Sequence, residues 1–126
     1  MRIILIDDET YGLDLLEAMI RMIDPHILIS GRFENPLEAI PYVLAVKPDI
    51  VILDSQMPFL TGVDLIRMLQ HTSCHFVLVS ARDLSENLIQ VDLKKVHLLN
   101  KPFSLNQLKS ILQIIENEII QSHKEH

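Results

Sequence analysis

Five short apolar runs constrain this chain more than any other feature. They are residues 3–6, 27–29, 50–53, 76–79 and 96–99, and they consist mostly of isoleucine, valine and leucine. None alternates with polar residues, so each reads as a strand buried on both faces, the pattern of a parallel sheet. The segments between them carry helical spacing. Residues 10–23 place Leu13, Leu16, Ile20 and Ile23 on one stripe. A second helix opens at Asn35-Pro36-Leu37-Glu38, with an N-cap, a first-turn proline and a capping-box acid. A third opens at Thr61-Gly62-Val63-Asp64, a fourth at Asp83 with Glu86 three residues on, and a fifth at the capping box Ser104-Leu105-Asn106-Gln107. Strand and helix alternate five times. Right-handed crossovers then cover both faces of the sheet, giving a doubly wound α/β sandwich.

At 126 residues the chain has the length of one domain, and halving it leaves neither part a sufficient core. We expect a domain over residues 1–121 and a polar C-terminal tail over 122–126. Apolar residues make up 48% and charged residues 22%, which excludes disordered and low-complexity classes. The net charge of −6 offers no basic field for nucleic acid or anionic lipid. The one cysteine, Cys74, has no internal disulfide partner, as suits a reducing compartment. Apolar runs of four or five residues fall short of the roughly 20 that span a bilayer. The first run stops at two aspartates, unlike a signal peptide. A cytoplasmic protein without membrane contact is the expectation.

Ligands of such sheets bind beyond the carboxyl ends of the strands. Asp7, Asp8 and Glu9 follow the first run, Asp54 the third, Ser80 and Ala81 the fourth, and Asn100, Lys101 and Pro102 the fifth. An Asp after a strand is by itself an ordinary turn or N-cap residue. An acid pair, an isolated Asp, a small hydroxyl and a Lys-Pro closing four of five strands form a pattern that chance rarely supplies. Three adjacent carboxylates repel one another, and oxygen ligands of this kind suit Mg²⁺. Cation, lysine and hydroxyl together receive phosphoryl oxygens, leaving one carboxylate free to attack phosphorus. The set reads as an aspartyl-phosphate site.

Over almost its whole length the chain resembles the receiver domain of two-component response regulators. Asp7-Asp8-Glu9, Leu53-Asp54-Ser55-Gln56-Met57-Pro58, Gly62, Ser80-Ala81-Arg82 and Lys101-Pro102-Phe103 carry the resemblance, in order and at receiver-like spacing. It implies a flavodoxin-like (βα)5 fold of strand order 2-1-3-4-5. It further implies phosphorylation of Asp54 by a histidine kinase or histidine phosphotransfer protein. Asp8, Asp54 and the main-chain carbonyl of Gln56 would ligate Mg²⁺, with Asp7 acting mainly through water. Lys101 and the Ser80 hydroxyl would bind the phosphoryl group, and Lys101-Pro102 would be a cis peptide. Movement of Ser80 would remodel the face made by the fourth helix, fifth strand and fifth helix, where an effector protein binds.

Several residues depart from the receiver pattern. Leu98 stands where receivers usually carry an aromatic switch residue, with His97 beside it. Lys94-Lys95 replace the Gly-Ala that commonly closes the fourth helix, so that helix is expected to end differently. The connection over residues 69–75 is short. Gln56 and Arg82, on the water route to phospho-aspartate in the family, imply slower dephosphorylation.

Other features read more plainly. His71-Thr72-Ser73-Cys74-His75 has metal-like spacing, but zinc there needs a fourth ligand from elsewhere, and an ordinary connector is the simpler reading. In the fifth helix Leu105, Leu108, Ile111, Leu112, Ile115 and Ile119 face the sheet, while Ile114 and Ile120 widen the apolar surface towards a partner or a second copy. A phosphorylation-controlled receiver without enzymatic turnover of a separate substrate is the leading reading, with output through another protein or through a longer regulator. The alternative is a degenerate receiver serving as a constitutive docking module. A hydrolase with an aspartyl-phosphate intermediate needs an acid where Gln56 stands, and a substrate cap.

Overall fold

The computed structural model describes residues 1–84 and 91–124, apart from the side chain of Leu93. In chain order its elements are β1 (Arg2–Ile6), α1 (Thr10–Ile23), β2 (Leu28–Phe33), α2 (Pro36–Val46), β3 (Ile50–Asp54), α3 (Gly62–Leu69), β4 (His75–Ser80), β5 (Val96–Asn100) and α4 (Leu105–Lys124). A 3-10 turn at Leu93–Lys95 leads into β5. All strand pairs are parallel and the order is β2-β1-β3-β4-β5, the flavodoxin-like arrangement.

The uninterrupted apolar runs make the three inner strands. Ile3 to Ile6 of β1 and Ile50 to Leu53 of β3 have no exposed surface, because helices cover both faces. On one face Ile4, Ile6, Val51, Leu53, Phe76 and Leu78 pack with α2 and α3 through Ala39, Val43, Leu65 and Ile66. On the other, Ile3, Leu5, Ile52 and Val77 pack with α1 and α4 through Leu13, Leu16, Ile20, Leu108, Leu112 and Ile115. The edge strands differ from the expectation of two-sided burial. β2 starts one residue later than its apolar run and continues through Ser30, Gly31 and Arg32, with Leu28 54% exposed. With one strand neighbour, β2 tolerates polar residues and carries a register shift opposite Ile3 and Ile4.

Helix starts follow the side chains that satisfy first-turn N–H groups. Asn35 Oδ1 accepts from the Leu37 N–H at 2.9 Å, and Thr61 Oγ1 accepts from the Asp64 N–H at 3.1 Å. At α4 the expected capping box is reciprocal: the Gln107 N–H donates to Ser104 Oγ at 3.1 Å, and the Ser104 N–H donates to Gln107 Oε1 at 2.7 Å. The expected fourth helix, opening at Asp83 with Glu86, falls on residues 85–90, outside the described residues. Just ahead of β5, Lys95 extends its ammonium to the carbonyls of Gln70 at 2.6 Å and Thr72 at 2.5 Å, closing the end of α3. The segment read as a polar tail from Ser122 is helical as far as Lys124, and exposed. Among the described residues, no helix is long and apolar enough to cross a membrane.

Candidate functional site

β1 and β3 are hydrogen-bonded neighbours in parallel register, Ile6 opposite Leu53, so the residues after them emerge together. Asp54 ends β3, and Asp7 and Asp8 come directly after β1. One carboxylate oxygen from each of these three residues lies within 4.8 Å of the others. β4 ends on Ser80, opposite Asn100 of β5, and the Lys101 N–H continues that pairing by donating to the Ser80 carbonyl at 2.7 Å. This brings Lys101 Nζ to 3.4 Å from Asp54 Oδ2. The Lys101–Pro102 peptide bond is cis, as the resemblance implies.

The three acids differ in environment. Asp7 is 6% exposed, whereas Asp8 is open to solvent. Burial pushes the Asp7 carboxyl up to about 6 from its ordinary 3.8. The Asp54 and Asp8 carboxylates push the same way, against the opposing pull of the Glu9 N–H and Lys101. That N–H donates to Asp7 Oδ1 at 3.0 Å. Ser80 is buried, and its Oγ accepts the Arg82 N–H at 3.1 Å. Asp8, Asp54, Gln56, Ser80, Arg82 and Lys101 share an open cleft of about 500 Å³, with Gln56 and Arg82 exposed at its border. The clustered carboxylate oxygens of Asp7, Asp8 and Asp54 form a donor set for a hard divalent cation, with the Lys101 ammonium beside them.

Two glycines hold this geometry. A Cβ at Gly62 would lie 2.5 Å from the Asp54 carbonyl oxygen and 2.6 Å from Leu78 Cδ1, and the Gly62 N–H donates to the Ser55 carbonyl at 2.9 Å. Gly12 does not stand out in the sequence. It lies early in α1, and a Cβ there would fall far inside van der Waals contact distance of Asp7 Oδ2. A helical glycine shortly after the acid pair, where alanine is about 1 kcal/mol better for the helix, is the signal that marks it.

The His71 to His75 segment is no metal cluster of its own. Cys74 is buried among the α2 and α3 side chains with its Sγ 2.8 Å from Thr72 Oγ1, and His71 is exposed. His75 begins β4 and points to the opposite face of the sheet. Leu98 is half-buried and packs on the α2 and α3 side. Ile114 and Ile120 are 50% and 44% exposed on α4.

A doubly wound α/β domain with an acidic cluster and a lysine at the carboxyl rim is the class defined by these elements. The family model of the response regulator receiver domain matches residues 3–113. The chain belongs to that family and is a receiver domain of two-component signalling. A response regulatory protein of Yersinia pestis is 40% identical over 85 residues, 66% of this chain and 35% of the relative. A protein-glutamate methylesterase/protein-glutamine glutaminase of Pyrococcus abyssi is 32% identical over 69 residues, 55% of this chain and 18% of the relative. The chain thus spans about a third or less of both relatives' lengths. In fold it is similar to the response regulatory domain of mrkE from Klebsiella pneumoniae, with a TM-score of 0.83 at 22% identity, covering 96% of this chain and 99% of that one.

Proposed function

We propose that this receiver is switched by transfer of a phosphoryl group to Asp54 from a histidine kinase or histidine phosphotransfer protein, with Mg²⁺ held at the acidic rim. The observation that carries the reading is the convergence of Asp7, Asp8 and Asp54 with Lys101, 3.4 Å from Asp54. Asp8, Asp54 and the main-chain carbonyl of Gln56 would hold the metal, with Asp7 acting mainly through water. When bound, Mg²⁺ would supply positive charge that offsets the carboxylates and the phosphoryl oxygens. An Asp54 carboxylate oxygen attacks phosphorus, the P–O bond forms as the donor P–N bond breaks, and the electron pair leaves with the imidazole nitrogen, which takes up a proton from solvent. Lys101 then exchanges its carboxylate partner for a phosphoryl oxygen. The Ser80 hydroxyl reaches the new group by giving up the Arg82 N–H.

A groove of about 590 Å³ beside the acids, lined by Tyr11, Leu15, Pro102 and Phe103, supports docking of the phosphodonor next to Asp54. Output passes through β5 and α4, where the exposed Ile114 and Ile120 offer contact to an effector or a second copy. We place the protein in the cytoplasm, where phosphodonor proteins of this class act. It turns over no separate substrate.

Mass spectrometry after incubation with acetyl phosphate and Mg²⁺ tests the assignment. The wild type is expected to gain one phosphoryl group and Asp54→Ala none; an adduct that persists in the variant overturns the site. Saturable binding of beryllofluoride with Mg²⁺, followed by spectral shifts in β5 and α4, separates a switch from a constitutive docking module. Size-exclusion chromatography of the same sample reports whether α4 supports dimerisation.

A further inference from the structure

A second cluster of ligating side chains lies at the end of the sheet opposite the aspartates. His75 is paired with Ile50 at the start of β4, four residues along β3 from Asp54, or about 13 Å. Parallel register sets His97 of β5 opposite Val77. His75 and His97 therefore project from the same face of the sheet, the face that α4 covers through Leu112 and Ile115. Glu118, one turn beyond Ile115, reaches both imidazoles. Its Oε2 is 3.5 Å from His75 Nδ1 and 3.8 Å from His97 Nε2. One ligand atom from each of the three residues lies within 4.8 Å of the others.

Hydrogen bonding does not account for this arrangement. Both nitrogens are buried, and neither has a hydrogen-bond partner among the described residues. Buried side-chain nitrogens are nearly always satisfied, so two orphans facing one carboxylate oxygen call for a reason. A tetrahedral zinc ion with bonds of about 2.0–2.1 Å holds its ligand atoms about 3.3 Å apart, close to the 3.5 and 3.8 Å that separate Glu118 Oε2 from the two imidazole nitrogens. Two imidazoles and one carboxylate also favour a transition metal over Mg²⁺, which takes oxygen ligands.

We propose that His75, His97 and Glu118 form a binding site for one divalent transition-metal ion of the zinc class, with three protein ligands and a fourth position facing solvent beside Glu118. The Glu118 side chain is 41% exposed, and the histidines are 13% and 18% exposed, so the ion enters along α4. The ion fastens the second half of α4 to β4 and β5, on the face through which the domain is read. The site is independent of phosphoryl chemistry at Asp54.

Calorimetric titration of the full chain with Zn²⁺, in saturating Mg²⁺ so that the acidic rim is filled, tests the assignment. One zinc per chain is expected. His97→Gln and Glu118→Gln should each weaken binding about 100-fold or more, since even the outer partners of metal ligands are worth 10–100-fold. Glu118→Gln changes a partly exposed side chain, and the metal-free melting temperature of both variants checks that the fold survives. A zinc-edge anomalous peak between the three side chains confirms the site. Absent or non-saturable binding, or binding that survives either substitution, overturns it, and loss in His123→Gln alone would place the ion at the end of α4 instead.

Discussion

At the scale of single residues, Asp7 shows how the rim is held in tension. Its carboxyl is buried beside two others, which favours the protonated form. With the folded value at about 6 and the ordinary value at 3.8, the contribution of Asp7 to stability is fully present below the lower value and is lost as the pH rises through the upper one. Asp7→Asn is therefore expected to stabilise the metal-free protein by roughly 1–3 kcal/mol near neutral pH, with the gain shrinking on acidification. Urea denaturation in the presence of a chelator across this range measures it, and a variant less stable than wild type at neutral pH would refute the account. The same variant should bind Mg²⁺ more weakly. Gly12 offers a second test. Gly→Ala inside a helix ordinarily stabilises by about 1 kcal/mol, but here the new methyl group must displace the Asp7 carboxylate. Gly12→Ala should instead destabilise by about 1–3 kcal/mol and lower Mg²⁺ affinity, read by the same denaturation assay and by metal titration.

Elements owe their limits to a few polar side chains. The reciprocal bonds of Ser104 and Gln107 fix the start of α4, so Ser104→Ala should cost about 1 kcal/mol in denaturant unfolding. Lys95 does more than replace a residue at the end of a helix. Its ammonium bonds two carbonyls beyond the end of α3, and Lys95→Met should cost about 1–3 kcal/mol by leaving them without that donor. Nothing in the local sequence announces this contact, because Lys95 and Gln70 are 25 positions apart. Starts at Asn35, Thr61 and Ser104 were legible, since the N-cap oxygen and the N–H it accepts are only two or three residues apart. The extent of β2 was not, because whether Ser30 and Arg32 face solvent or core depends on which strand ends the sheet.

Over the whole molecule, two cores clamp one sheet, and every acidic group of the rim depends on that clamp for its position. Divalent cation binding at the rim should therefore stabilise the entire domain. Mg²⁺ at about 100 times its dissociation constant adds about 2.7 kcal/mol, which corresponds to a rise of about 8–14 °C in Tm for a domain of this size. Calorimetry with and without Mg²⁺ checks this, and Asp54→Ala should lose most of the rise. An unchanged wild-type Tm would remove magnesium from the reading.

The sequence by itself determined the alternation of strand and helix, the one rim at which Asp7, Asp8, Asp54, Ser80 and Lys101 would gather, and the family. Those features rest on short-range rules: apolar runs bury on both faces, caps act within one turn, and parallel strands point their carboxyl ends the same way. Only the tertiary structure decided that Gly12 makes room for Asp7, that Lys95 closes α3, and that His75, His97 and Glu118 share one pocket. Each of these meetings is set by how the elements pack, and local pattern marks at most the glycine, not what it makes room for.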